Sequence, residues 1–280
     1  MTPTTPGGGR LVLVGTPIGN LGDLTPRAIE ALAAADLVCC EDTRRTGRLL
    51  QHAGIRAAAL RVVNDHTEDG AVADVVARLG RGERVAVVSD AGMPGISDPG
   101  EQLVAAAVAG GFVIEVVPGP SAGVTALVVS GLPAGRFVFE GFLPRKGSAR
   151  SERVAVVAAE RRTVVLYEAP HRVARTLADL AAACGPDRRV VLARELTKLH
   201  EETWRGTLAE AVARVADVAP RGEFVLVLDA APAPAEVTDE AIVAALAAAR
   251  AGGATTRDAV VAVVDALGVA KRRTYDLATG

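Results

Sequence analysis

Short apolar runs that stop at polar clusters alternate with helical patterns along most of this chain. Leu11–Val14, Leu37–Cys40, Leu60–Val63, Val85–Val88 and Val113–Val117 are each the length of a buried strand. A helical pattern follows each run. One opens at Thr25-Pro26, with Thr as N-cap and Pro in the first turn, and runs to about Ala35. Others are predicted over Thr46–His52, up to Leu79, from near Pro99 and after Ser121. Strand alternating with helix predicts an α/β fold with a largely parallel sheet. Every polar cluster then lies beyond a strand's carboxyl end, where open α/β sheets bind ligands.

A break at Leu132–Gly135 separates this half from a second one. There the apolar runs are Phe137–Leu143, Val164–Tyr167, Val190–Ala193 and Phe224–Leu228, with helices over about Ser148–Glu160 and up to Cys184. Ala230–Ala235 reads as a stiff Ala-Pro linker. Thr238–Gly280 is helical throughout: Thr255 with Asp258 resembles a capping box, and two short helices meet around Gly268. That pair fits a helix-turn-helix or a structural cap equally well. The predicted organisation is a disordered tail (1–9), an N-terminal α/β domain (10–133), a second α/β domain (134–230) and a helical extension (238–280).

Composition narrows the classes. With 280 residues, half of them hydrophobic but only 3% aromatic, the cores are expected to be built from Ala, Val and Leu. A net charge of −2 argues against a generic nucleic-acid binder, though not against a local basic groove. Three cysteines without ligand spacing predict buried thiols and no metal site. No secretory leader and no membrane span are expected, which points to the cytoplasm.

The candidate chemistry sits in the loops. Gly15, Gly19 and Gly22 do not form G-x-G-x-x-G, and no P-loop occurs. Still, three loops rich in Gly and Pro (Thr16–Asn20, Ser89–Ser97 and Pro118–Ala122) permit close backbone approach to a ligand. Asp90 is placed to hold a ribose or amino group, and Met93 and Ile96 to line an apolar slot. Asp42, Arg44, His66, Arg145, Lys146, Glu168, His171, Arg172, Arg194, Glu195 and Lys198 cluster at strand ends, as in a locally cationic cleft.

Several of these stretches together (GTPIGNLGDLTPRA, CEDTRRTGRLL, NDHTE, VVSDAGMPGISDPG, VVPGPSAGVTAL, EGFLPRK, YEAPHRV and ARELTKLHEE) resemble the ribosomal RNA small subunit methyltransferase I family. The resemblance runs from about Leu11 to Leu228, and the C-terminal segment is similar to that family's helical extension. It implies two α/β domains of the tetrapyrrole methylase (class III methyltransferase) fold. It also implies S-adenosyl-L-methionine as methyl donor, a homodimer, and the ribose 2′-hydroxyl of a 16S rRNA cytidine in the decoding centre as target. The cofactor residues it implies are Thr16, Pro17, Ser89, Asp90, Ala91, Gly92, Met93, Ile96, Ser121, Ala122 and Leu143. Methyl transfer to a hydroxyl calls for a proton acceptor, expected to be Glu168 or His66. It also calls for cations at phosphates or the developing oxyanion, expected among Arg44, Arg172, Arg194 and Lys198. The tetrapyrrole methylases proper carry G-x-G-x-G-D-like and G-G-D-P-like loops. Here GTPIGNLGD and SDAG stand in their place, which argues against a porphyrin-type substrate. The alternatives are methylation of a tetrapyrrole or a protein residue, and a nucleotide-sensing or ribosome-binding module without catalysis. An acidic protein favours the assembled small subunit over naked rRNA as substrate.

Overall fold

The computed structural model describes residues 8–64, 67–217, 219–233 and 237–279. Most of the predicted tail, His66 and part of the Ala-Pro linker lie outside them. The chain divides into two compact units that meet between Ala231 and Pro232.

The first unit contains two five-stranded sheets. In the first sheet, β1 (Arg10–Val14), β2 (Leu37–Cys40), β3 (Leu60–Val62), β4 (Arg84–Val87) and β5 (Val113–Val117) are all parallel, in the order β3-β2-β4-β1-β5. Side chains alternate across it with the two-residue strand period. Val12, Val14, Val38, Cys40 and Ala86 pack on α1 (Pro26–Ala33) and α2 (Thr43–His52). Leu11, Leu37, Cys39, Val85 and Val87 pack on α3 (Glu68–Gly80) and α4 (Glu101–Ala109) on the other face. The helix after β1 and the helix after β4 therefore leave neighbouring strands for opposite faces. A crevice opens at such a topological switch point. Burial pushes the Cys39 thiol up to about 12, in keeping with an inert core residue.

The second sheet runs β6 (Phe137–Phe142), β7 (Thr163–Glu168), β10 (Phe224–Leu228), β8 (Arg189–Arg194), β9 (Glu202–Thr207). Only β6 and β7 pair in parallel. One face packs on α6 (Ser148–Ala159), α7 (Pro170–Cys184) and α8 (Leu208–Asp217), around Leu166, Leu177, Leu180 and Leu226. The other face packs on Ala126 and Leu127 of α5 (Ala122–Ser130), the helix that follows the first sheet, together with Ile18 from the loop after β1. One helix and one loop of the first half thus complete the core of the second.

Three elements differ from the sequence expectation. α2 starts at Thr43 instead of Thr46, because the Asp42 carboxylate caps the Arg44 amide at 2.8 Å. α4, expected from near Pro99, does start there, at Glu101; its first amides are met by a buried carboxylate from α3, Glu68, which accepts from Gly100, Gln102 and Leu103 at 3.0–3.3 Å. β9 and α8 were not predicted. The strand ETWRGT has no apolar alternation and is fixed by pairing with β8 at a sheet edge.

The second unit is a three-helix bundle: α9 (Asp239–Ala251), α10 (Thr256–Leu267) and α11 (Lys271–Thr279), packed around Ile242, Leu246, Val260 and Val263. Thr255 caps α10 through the Asp258 amide, and Gly268, at φ 62°, ends it in the left-handed conformation that glycine tolerates. Among the described residues no helix is long and apolar enough to cross a membrane.

Candidate active site

The carboxyl edge of the first sheet forms one wall. Thr16 and Gly92 exchange backbone hydrogen bonds of 2.9 and 3.1 Å, tying the loop after β1 to the loop after β4. Thr16 Oγ1 donates to the Ser89 carbonyl at 3.2 Å. On the other side, Gly15 meets Gly119 so closely that a Cβ on Gly15 would lie 2.5 Å from the Gly119 nitrogen. Gly92, Gly95 and Gly100 have positive φ, and so does Ser97, at 60°. Non-glycine backbone held in that region stores strain of the kind that gathers at binding sites.

The second sheet supplies the facing wall. Because β10 is antiparallel, its start lies level with the ends of β7 and β8: Phe224 pairs with both Glu168 and Arg194. Tyr167 Oη accepts from the Gly123 amide at 3.1 Å, and burial raises its pKa. Phe139 and Phe142 pack edge-on against its ring. The loop after β8 is held in a strained form, with Glu195 at φ 50° and Thr197 at φ 63°. Thr197 Oγ1 accepts from the Asn20 amide at 3.0 Å, a direct link to the loop after β1. Lys198 Nζ bridges Glu223 at 2.7 Å and Glu195 at 3.0 Å. Burial alone would lower its pKa, but the two carboxylates outweigh that and raise it, so Lys198 stands as a cation.

Between the walls lies a cavity of about 440 Å³, mostly apolar, within the range of small-molecule and cofactor sites. Of the expected cofactor residues, Ala91, Gly92, Met93, Ile96, Ser121 and Ala122 line it. Thr16, Pro17, Ser89 and Asp90 line an adjoining pocket of about 300 Å³, which shares Ile18, Ala91, Lys198 and Glu223 with the first. Leu143 is apart from both: its side chain is buried in the core of the second sheet, and its carbonyl accepts from Arg172 at 2.5 Å.

The other expected residues scatter. Glu168 reaches the main cavity, but its carboxylate accepts from Arg172 at 3.0 Å, from the Ala169 amide at 3.0 Å and from Thr176 at 2.6 Å. Arg172 lines a neighbouring groove. Arg44 lies on the exposed surface of α2, paired with Asp42 at 2.8 Å; the Arg44 bond holds that carboxyl well below the usual carboxylate range. Arg194 opens onto a separate pocket with Glu202, Trp204 and Arg214, so neither it nor Arg44 lines the two cavities. His66 falls outside the described residues. Tyr167, Phe142 and Glu223 line the main cavity without having been singled out, and His171, expected in the cationic cleft, lines it too. Glu223 is hidden from sequence reasoning because it precedes its strand, and only antiparallel β10 brings it to this edge.

The donor set fits S-adenosyl-L-methionine. Apolar walls suit the adenine and the methylene chain, and bare glycine backbone permits close approach. One buried oxygen, Asp90 Oδ1, has no protein partner and is free to take a ribose hydroxyl or an amino group. Burial raises the Asp90 pKa, and Arg45, 3.4 Å away, offsets part of that.

Comparison with known proteins agrees. Residues 10–212 match the family of tetrapyrrole (corrin/porphyrin) methylases. A Synechocystis protein named ribosomal RNA small subunit methyltransferase I is 50% identical over 220 residues, 79% of this chain and 78% of its own. The Mycobacterium tuberculosis protein of that name is 45% identical over 271 residues, covering 96% of this chain and 94% of its own. Among solved structures, the methyltransferase CobJ superposes with a TM-score of 0.62 at 22% identity, over 80% of this chain and 95% of that one; this likeness concerns the fold. The chain belongs to the ribosomal RNA small subunit methyltransferase I family of the tetrapyrrole methylase fold, enzymes that take their methyl group from S-adenosyl-L-methionine.

Proposed function

We propose that this protein methylates the ribose 2′-hydroxyl of a cytidine in the decoding centre of 16S rRNA, acting on the small ribosomal subunit in the cytoplasm. The observation that carries this reading is the near full-length similarity to relatives named for small-subunit rRNA methylation, C-terminal helices included. When bound, the cofactor supplies a methyl group already activated on a sulfonium. The chain's task is to hold the hydroxyl in line with it, a positioning effect worth up to roughly 7–11 kcal/mol in well-oriented systems. Ala91, Gly92, Met93, Ile96, Ser121 and Ala122 would hold the cofactor, and Asp90 would take its ribose or amino group. Thr16 and Ser89 keep that loop in place through their bonds to it, and Pro17 would meet the cofactor from the adjoining pocket.

Glu168, its oxygens committed to Arg172, Ala169 and Thr176, serves as framework for Arg172. The proton acceptor is then His171, which lines both the cofactor cavity and the groove beside it. Lys198 stabilises negative charge developing on the oxygen. His171→Asn is expected to lower the single-turnover rate by about 10²–10⁴-fold with cofactor affinity kept.

A homodimer is part of the proposal. It is supported by exposed apolar side chains on α5 (Val124 and Val128) and on the edge strands β5 (Val116) and β6 (Phe137 and Phe139). The test is transfer of tritium from labelled cofactor to small subunits, naked rRNA and a porphyrinogen, followed by mapping of the modified ribose. Label at a cytidine 2′-oxygen of the subunit is expected. Label on the porphyrinogen alone, or on no RNA, would overturn the reading.

A further inference from the structure

The arginines that the sequence clusters at strand ends do not stay together in space. Arg44 and Arg194 are paired and face away from the cofactor cavity. Arg145 and Arg172 instead converge with two helix arginines, Arg150 and Arg175, on a groove of about 850 Å³ between the turn after β6 and the first turns of α7. Among the described residues no carboxylate lines it.

Two of the four are framework. Arg150, almost wholly buried, donates to the Pro144 carbonyl at 3.0 Å, Thr176 Oγ1 at 2.9 Å and Asp179 at 2.8 Å. Arg172 pairs with Glu168 and donates to the Leu143 carbonyl. Between them they grip the two carbonyls that precede Arg145, so the turn carrying Arg145 is rigid. The other two guanidiniums are exposed. Arg145 forms no ion pair among the described residues, and Arg175 has only a 3.8 Å approach to Asp179 and a 3.5 Å bond to the Arg145 carbonyl. The groove runs into the cofactor cavity through Phe142, Ala169 and His171, which line both.

Resting on the rRNA reading above, we propose that this groove binds the phosphate backbone beside the target nucleotide, with Arg145 and Arg175 as its two phosphate contacts. Guanidiniums meet phosphate oxygens in two-pronged fashion, and such contacts set register without reading sequence. A strand held there would run along α7 and present one ribose at His171. The acidic protein would thus need no general positive charge, because its cations are concentrated where the chain must pass.

The test compares Arg145→Ala, Arg175→Ala and the double variant with Arg161→Ala. Arg161 is an exposed arginine just before β7, at the opposite strand end from Glu168. Binding of a labelled single-stranded RNA oligonucleotide is measured against salt, alongside cofactor affinity and methylation of small subunits. Each groove variant should reduce the steepness of log affinity against log salt by about 0.7, the value for one phosphate on a single strand, and the double variant by about twice that. KM for small subunits should rise, with saturated kcat and cofactor affinity unchanged. Arg145→Lys should recover most of the salt dependence, because the charge returns.

An unchanged salt dependence in the double variant would overturn the groove, and so would an equal loss in Arg161→Ala. Loss of binding to subunits but not to the oligonucleotide would overturn it in favour of a ribosomal protein contact. If the wild-type protein methylates no RNA, the functional reading fails separately, and the oligonucleotide measurements still decide the groove.

Discussion

Where the first sheet meets the cofactor cavity, main chain meets main chain: Thr16 pairs with Gly92, and Gly15 lies against Gly119. Where the second sheet meets it, long charged and aromatic side chains stand between backbone and cavity. Lys198 is held by two carboxylates, Tyr167 by the Gly123 amide, and Arg172 and Thr176 are gathered on Glu168. The difference follows from what each side must hold. A small cofactor of fixed shape is best gripped by rigid backbone with no side chains in the way. A long polyanion is best met by cations on tethered arms. The first wall is therefore sensitive to added volume, and the second to removed charge.

Removing charge should give the largest effect. Glu168 is solvent-inaccessible, and Glu168→Ala removes the one carboxylate paired with Arg172 and the acceptor of the Thr176 hydroxyl, leaving Arg172 with the Leu143 carbonyl alone and Thr176 with Arg150. Breaking a buried pair in this way costs about 3–5 kcal/mol. Urea denaturation is expected to show a loss of that size. Glu168→Gln, which keeps the shape, should leave the pH–rate profile unaltered. A profile that loses its acidic limb in Glu168→Gln would make this residue the proton acceptor and reverse its assignment as framework.

Added volume comes next. A methyl group on Gly15 would collide with the Gly119 backbone, 2.5 Å away, and with Met93 Sδ, 2.7 Å away; the thioether can shift, but the Gly119 peptide cannot swing aside as a flexible side-chain tip does. Gly15→Ala should lose about 1–3 kcal/mol of stability, as overpacking does. Cofactor binding, read by calorimetry, should weaken with it, because the loops after β1, β4 and β5 are displaced together. Normal affinity in a folded Gly15→Ala protein would show that the cradle is not backbone-built.

The two walls also differ in how far the sequence exposes them. Parallel strands buried on both faces write themselves as continuous apolar runs. The first sheet and its loops were therefore readable, down to the Ser89–Ile96 segment that lines the cavities. The second wall was only partly readable. Glu223 precedes its strand and reaches the site through antiparallel pairing, β9 lacks apolar alternation, and Arg44 and Arg194 look catalytic until their pairing partners are seen. Charge in a sequence marks a strand end but not the direction in which the side chain leaves it. Long side chains choose among several partners, whereas a glycine has only its backbone to offer.

Asp90 is the exception on the first wall, a side chain with a buried, unpartnered oxygen. Asp90→Asn should weaken the cofactor by roughly ten-fold, the scale of one hydrogen bond to a charged group. It should also stabilise the ligand-free protein. Burial raises the Asp90 pKa, so the folded protein retains a proton that the unfolded chain releases, and stability falls as pH rises through that window. The melting-temperature advantage of Asp90→Asn should therefore be present at neutral pH and vanish below the ordinary carboxylate range. An advantage independent of pH would show that the gain is not electrostatic.

The smallest effect sharpens the comparison by reversing its sign. Gly47 lies inside α2, the helix that carries Arg45 and Arg48 to the adjoining pocket, and no atom lies within 4 Å of where its Cβ would be. Here glycine contributes nothing to a close approach and costs helix stability through backbone entropy. Gly47→Ala should therefore gain about 0.5–1 kcal/mol, seen as a melting temperature higher by about 1–4 °C, with cofactor affinity unchanged. The same one-carbon change is damaging at Gly15 and helpful at Gly47. The helical backbone at Gly47 already suits alanine, whereas at Gly15 the space belongs to another peptide. Equal losses at both positions would mean that α2 is part of the cradle, and the boundary of the backbone-built wall would have to move outward to include it.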